Sequence, residues 1–196
     1  MLGGGKMRPE IASQLAWLLR CGAQGRRSLA RATGLGEIVV RQELERLHSL
    51  GLVEMERRGT LLTPKGRREF ATVLSQVKEV EELELRELGL DRLTVGALIG
   101  GTVESGLSWR FRDLAIRTGA SGAILISCTP QGPQFADSDE PLAARNPRDA
   151  TLLQERFPAR AGDLIVLVSA PDRGRAHLGL WEIITVLLSR YRHAAG

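Results

Sequence analysis

The chain has 196 residues, of which 43% are hydrophobic and 26% charged, a balance that suits one large or two small soluble cores. Its most apolar run, residues 93–103, is 11 residues long and falls well short of a bilayer span, and MLGGGKMRPE lacks the apolar core of a signal peptide. A cytoplasmic protein with no membrane contact is therefore expected. The net charge of +4 is unevenly placed, at +6 over residues 1–70, −3 over 71–90 and +1 over 91–196, so the basic surplus lies where a polyanion would need it.

Pro9 opens a first helix, where its missing N–H costs nothing, and Ile11, Leu15, Leu18 and Leu19 recur at helical spacing beside Trp17. Gly22 and Gly25 end that helix. Ser28 is expected to cap a short second helix closed by Gly34. A third helix runs from about Glu37 to Leu50, with Val40, Leu44 and Leu47 inward and Gly51 as its stop. Leu52 to Glu56 alternates as a half-buried strand, Arg57-Arg58-Gly59 turns the chain, and Thr60 to Leu62 returns. Thr63 then caps a helix with Pro64 in its first turn. That helix is expected to continue to about Leu88, with Val73, Val77 and Val80 on one edge and Glu79, Glu81, Glu82 and Glu84 toward solvent.

Gly89 begins a second domain. Leu93 to Gly100, Ala123 to Ser127 and Leu164 to Ser169 read as buried strands. Leu107 to Thr118, Arg148 to Phe157 and Arg175 to Tyr191 read as helices, and Thr129 to Asn146 as a loop. Short apolar strands alternating with helices indicate a sheet covered by helices. The expected fold is thus a two-domain α+β or α/β chain: a winged helix-turn-helix over 1–70, a linker or dimerisation helix over 71–90, and an α/β layer over 91–196.

The order of elements in residues 28–68 is that of a helix-turn-helix followed by a wing, an arrangement that sets one helix in the major groove of DNA. If Leu29, Ala32, Val40, Leu44 and Leu47 pack inward, the outward positions of the third helix include Glu37, Val39, Arg41, Gln42, Glu45 and Arg46. Arginine pairs bidentately with guanine and glutamine with adenine, which makes Arg41 and Gln42 the candidates for base readout. Arg26, Arg27 and Ser28 are placed for phosphate contacts, as is Arg46. Arg57 and Arg58 at the wing tip suit the backbone or minor groove, and Lys65 extends the positive surface. Glu37, Glu43 and Glu45 weigh against this reading wherever they face phosphate.

The phrases LGLVEME (Leu50 to Glu56) and LTPKGR (Leu62 to Arg67) make the segment resemble the winged-helix domain of prokaryotic transcriptional regulators of the multiple-antibiotic-resistance and arsenic-repressor type. The resemblance covers roughly residues 9–70. It implies that the third helix reads double-stranded DNA and that the protein regulates transcription. The later phrases RDLAIRTGASGAILIS and DLIVLVSAPDRGRAHLG resemble the uncharacterised C-terminal domains that follow a winged helix in some archaeal regulators. They imply a regulatory domain.

In an α/β layer the strand-end loops are the natural ligand site, and here they supply Gly100-Gly101 to Ser105, Ser127 to Thr129, and Ser169 to Arg173. With the start of the following helix they nominate Ser105, Trp109, Arg112, Asp113 and Asp172 for a small-molecule effector. No Walker lysine or Rossmann glycine spacing is present, and no nucleophile elbow, paired carboxylates or histidine motif argues for an enzyme. Cys21 and Cys128 are expected to be buried free thiols, and neither metal nor cofactor is implied. The resulting expectation is a homodimeric DNA-binding regulator, since one helix reads too few base pairs alone. The alternative is a winged helix that docks on protein and does not bind DNA.

Overall fold

The computed structural model describes residues 8–101, 107–138 and 140–194, and the chain divides into two units between Ser75 and Gln76. In the first, α1 (Pro9–Leu18) has Pro9 in its first turn, and Ile11 and Leu15 are fully buried, as is Leu19 in the 3-10 turn that follows. The second helix, α2 (Arg26–Thr33), starts at Arg26 and not behind a Ser28 cap. The cause is Gln24, which donates its N–H to Thr60 O at 2.9 Å and accepts the Thr60 N–H at 2.8 Å. This bridge fixes extended chain at Gln24, so Gly25 takes the cap position and the helix begins at once. The Ser28 hydroxyl instead lies 3.4 Å from Gln24 Oε1. Cys21, expected to be buried, is exposed, whereas Cys128 is buried.

Helix α3 (Glu37–Ser49) buries Val40, Glu43, Leu44 and Leu47. It stops through two nested bonds, Leu52 N–H to Leu47 O at 2.9 Å and Gly51 N–H to His48 O at 2.8 Å, with Gly51 at φ 70°. Only glycine takes this left-handed position without penalty, so the LGLV phrase is a helix stop written into the chain. The wing follows as β1 (Val53–Glu56) and β2 (Gly59–Leu62), antiparallel from Val53↔Leu62 to Glu56↔Gly59. Thr63 then caps α4 (Pro64–Glu69). Its hydroxyl oxygen accepts the Gly66 N–H at 2.9 Å and donates to Gly51 O at 2.7 Å. A Cβ on Gly66 would lie 2.0 Å from Leu52 O, so the helix after the wing is seated against the stop of α3.

The long helix expected from Pro64 to about Leu88 is interrupted and short. It breaks after Glu69, resumes as α5 (Ala71–Gln76), and gives way to a strand, β3 (Val77–Leu83). Val73, Val77 and Val80 fit a helical period, but long-range partners override it. Glu81 accepts from Arg156 at 2.6 Å, 75 residues along the chain, Glu82 pairs with Arg173, and β3 pairs along its length with the next strand.

The second unit continues with β4 (Leu93–Gly100), α6 (Ser108–Arg117), β5 (Gly122–Thr129), β6 (Gly132–Phe135), α7 (Pro147–Arg156), β7 (Asp163–Ala170) and α8 (Arg173–Ala194). The sheet order is β3-β4-β7-β5-β6, and every neighbouring pair is antiparallel. Strands β4 and β5 run the same way on either side of β7 and are joined through α6. All eight residues of β7 are buried, as expected of a central strand with both faces covered. Helices α6 and α8 pack on one face. On the other face Leu98, Ile126, Ile165 and Leu167 pack with Leu142, Leu153 and Phe157. Each such burial contributes about 2 kcal/mol. The two-domain mixture of helix and sheet is as expected, with the strands entirely antiparallel.

Candidate nucleic-acid interface

The arc of α3 opposite its buried residues is centred on Ile38, Gln42, Glu45 and Ser49, with Arg41 beside them. Ile38 is 66% exposed, the most exposed large apolar side chain among the described residues. It lies in the first turn, where a reading helix meets base edges. The sequence reading placed Val39 outward and passed over Ile38, although continuing the 100° step from Val40, Leu44 and Leu47 puts residue 38 near the centre of the free face. Between α3, the start of α2 and the wing lies a groove of about 230 Å³ lined by Arg26, Arg41, Glu45, Met55 and Glu56.

The charged residues named from sequence divide into two groups. Glu43 is fully buried, so it does not face phosphate. Its carboxylate accepts from Arg46 at 2.7 Å and from the Arg8 N–H at 3.3 Å. Arg46, one-third exposed, is therefore committed to balancing a buried charge. Lys65 donates to Leu50 O at 2.8 Å, an orphan carbonyl at the end of α3. Arg41 lies 3.5 Å from Glu45 and Arg27 lies 3.8 Å from Glu37, both exposed pairs of small energetic weight. Arg57 and Arg58 stand exposed at the wing tip, and Arg26 is exposed at the start of α2, with no carboxylate partner among the described residues. Gln42 is exposed one turn beyond Ile38.

Of the five effector residues, the four among the described residues lie apart, with Trp109, Arg112 and Asp113 on α6 and Asp172 before α8. Ser105 lies outside the described residues. Trp109 is about half exposed near the start of α6 with Arg110 over its ring, and Arg112 pairs with Asp113 at 3.6 Å. Asp172 accepts the Arg175 N–H at 2.9 Å at the start of α8. Because the sheet is antiparallel, the end of β4 and the end of β5 share one side while the end of β7 lies at the other: Gly100 pairs with Asp163, whereas Ala170 pairs with Leu93. The strand-end loops thus split between two ends, and the rule for parallel sheets does not apply.

Two grooves occur elsewhere in this unit. One of about 860 Å³ is lined by Glu82, Glu84, Arg86, Arg148, Thr151 and Arg156. At its base the buried Asp149 carboxylate accepts the N–H groups of Arg86, Glu87 and Leu88 at 2.7–3.2 Å, while Glu87 accepts the N–H groups of Arg148 and Asp149. The other, of about 410 Å³, is lined by Cys128, Thr129, Gln131, Gln154, Phe157 and Arg160. Burial pushes the Cys128 thiol up to about 11, with Asp163 adding to the effect, so it stays protonated and inert at neutral pH. On the opposite face, burial pulls His177 down to about 4 against the pull of Glu82, and Arg173 holds Glu82 below its usual range. Among the described residues no group of three or more His, Cys, Asp or Glu side chains is placed to hold a metal ion. No helix among them is long and apolar enough to cross a membrane.

Two family models match separate parts of the chain. Residues 10–80 match the family described as the CggR N-terminal DNA binding domain. Residues 97–187 match a domain of unknown function (DUF4443). No curated protein matches the chain. Among solved structures it is similar to "Hypothetical protein PH0730 from Pyrococcus horikoshii OT3", at 22% identity and a TM-score of 0.75, over 94% of this chain and 95% of that one. The chain is thus similar in fold, over nearly its whole length, to that archaeal protein.

Proposed function

We propose that this chain is a DNA-binding transcriptional regulator that reads duplex DNA with α3 and holds the backbone with Arg26, Arg27, Ser28, Arg57 and Arg58. The observation that carries this reading is the joining of an exposed helix face (Ile38, Arg41, Gln42) to an exposed arginine tip, Arg57 and Arg58, which has no carboxylate partner among the described residues, within a unit similar to a DNA-binding domain. The net +6 of residues 1–70 supports it, because phosphate neutralisation dominates affinity. Burial of Glu43 also supports it by removing one of the three glutamates that stood against phosphate. The protein acts as a two-fold dimer, so that two copies of α3 read half-sites about one helical turn apart. The second unit serves regulation, through an effector or through the dimer contact.

Docking on protein is the competing reading. The exposed Ile38, Leu50 and Met55 favour it. Titration of the full-length protein against random-sequence duplex at several salt concentrations separates the two. DNA binding predicts an affinity that falls steeply with salt, by about one log unit per log unit of salt for each phosphate neutralised. A flat or absent response would remove the DNA reading.

A further inference from the structure

The ion pairs on α3 change which residues are free to choose a sequence. Arg46 is bound to the buried Glu43, while Arg41 faces Glu45 and Arg27 faces Glu37 in weaker, exposed pairs, so each of these three arginines has a carboxylate neighbour. Ile38 and Gln42 have no such tie. They are four residues apart, which stacks them on one face, and both are exposed, Ile38 in the first turn of α3 and Gln42 one turn on. The exposed isoleucine in that first turn presents an apolar surface to whatever the helix meets. In a major groove the one apolar group on a base edge is the 5-methyl of thymine, and the adenine edge offers the donor and acceptor that match a glutamine amide. The arginines around it, Arg26 and the wing-tip Arg57 and Arg58, supply the charge that fits a polyanion and not an apolar protein face.

We propose that Ile38 is a specificity-determining residue that packs on a thymine 5-methyl group, and that Gln42 reads an adjacent adenine. Each half-site then contains a thymine–adenine step under the first turn of α3. This inference rests on the DNA-binding reading and deepens it: arginine–guanine pairing is subordinate, and base choice lies with an apolar contact and an amide.

The test uses full-length protein and the duplex it enriches from a random library, prepared with thymine or with deoxyuridine, which lacks only the methyl group. Wild-type protein is expected to bind the deoxyuridine duplex about fourfold more weakly per half-site, or about fifteenfold for a two-fold site, the worth of one buried methyl group each. Ile38→Ala is expected to bind the thymine duplex more weakly by the same factor and to make no distinction between the two duplexes. Ile38→Val should fall between them. Because Ile38 is exposed, these variants should fold as the wild type does, which a thermal melt checks. Equal binding of both duplexes by wild type, or thymine preference surviving in Ile38→Ala, overturns the assignment while leaving DNA binding intact. A change of sedimentation in Ile38→Ala overturns it in favour of a protein contact. Failure of wild type to enrich any duplex overturns both readings.

Discussion

In the second unit Lys78 is bound to Asp163, Arg156 to Glu81, Arg145 to Glu140 and Arg173 to Glu82, whereas in the first Arg26, Arg57 and Arg58 hold no carboxylate among the described residues. The same residue type therefore does different work in the two halves. Residues 91–196 are nearly neutral, and Arg156 and Arg173 among them tie helices α7 and α8 to strand β3. Residues 1–70 carry a surplus of six, and part of that surplus lies on one exposed edge. A binding surface differs from a structural one less in how many charges it holds than in whether the fold has already matched them.

This contrast can be broken at several points. Gly66→Ala should cost the most, about 3 kcal/mol or more, because the new Cβ meets the Leu52 carbonyl of a backbone that cannot retreat. Hydrogen exchange should report the loss within residues 9–69 and leave β4, β5 and β7 protected. Asp149→Ala should cost about 3 kcal/mol in the second unit, since three backbone N–H groups lose a charged acceptor. Here the exchange should rise over residues 84–90 and α7, the reverse pattern.

Arg46→Ala should lower stability by about 2 kcal/mol, as it leaves the buried Glu43 carboxylate with only the Arg8 N–H; one-third exposure of Arg46 tempers the usual cost of an orphaned charge. Chemical denaturation should show this loss, and Glu43→Gln should restore part of it in the double variant. A loss of DNA affinity in Arg46→Ala alone is thus no evidence of a DNA contact.

The response to pH distinguishes the second unit again. His177 is held neutral in the fold, with its pKa depressed from 6.5 to about 4 by burial. Below pH 6.5 the unfolded chain takes up a proton that the folded chain refuses, so stability falls as pH drops from about 6.5 toward 4, by roughly 1 kcal/mol per pH unit. Glu82, whose pKa is lowered by its bond to Arg173, adds to the fall in the same direction below its usual range. Denaturation midpoints at pH 7 and pH 5 should show the drop, and His177→Leu should flatten it. The smallest stability effect belongs to the wing tip. Arg57→Ala with Arg58→Ala should leave the melting temperature unchanged, weaken duplex binding about equally for all sequences, and lower the salt slope by about 2.

The elements legible in the sequence were those whose causes are local. The LGLV stop of α3 and the Thr63–Pro64 start of α4 each depend on groups within five residues, and the structure realises both. Helical period and charge misled where causes are distant. The segment 77–83 carries valines at helical spacing, yet its glutamates answer arginines on α7 and α8. Ser28 lost its capping role to a bridge between Gln24 and Thr60 that no local pattern announces. At the interface, the burial of Glu43 and the exposure of Ile38 were both readable from the helical arc that Val40, Leu44 and Leu47 define. They were hidden by residue type: a glutamate is assumed to face solvent and an isoleucine the core. That the strand ends nominated for an effector lie at two ends of the sheet was hidden for a topological reason, because only strand pairing decides which ends lie together.

The central claim, that the first unit reads duplex DNA through α3, is tested most directly by selection from a random-sequence library with full-length protein at two salt concentrations. The account predicts enrichment of a two-fold site whose half-sites lie about 10 base pairs apart and carry thymine–adenine steps, with affinity falling steeply as salt rises. A library that emerges unenriched, or binding that does not respond to salt, would contradict it.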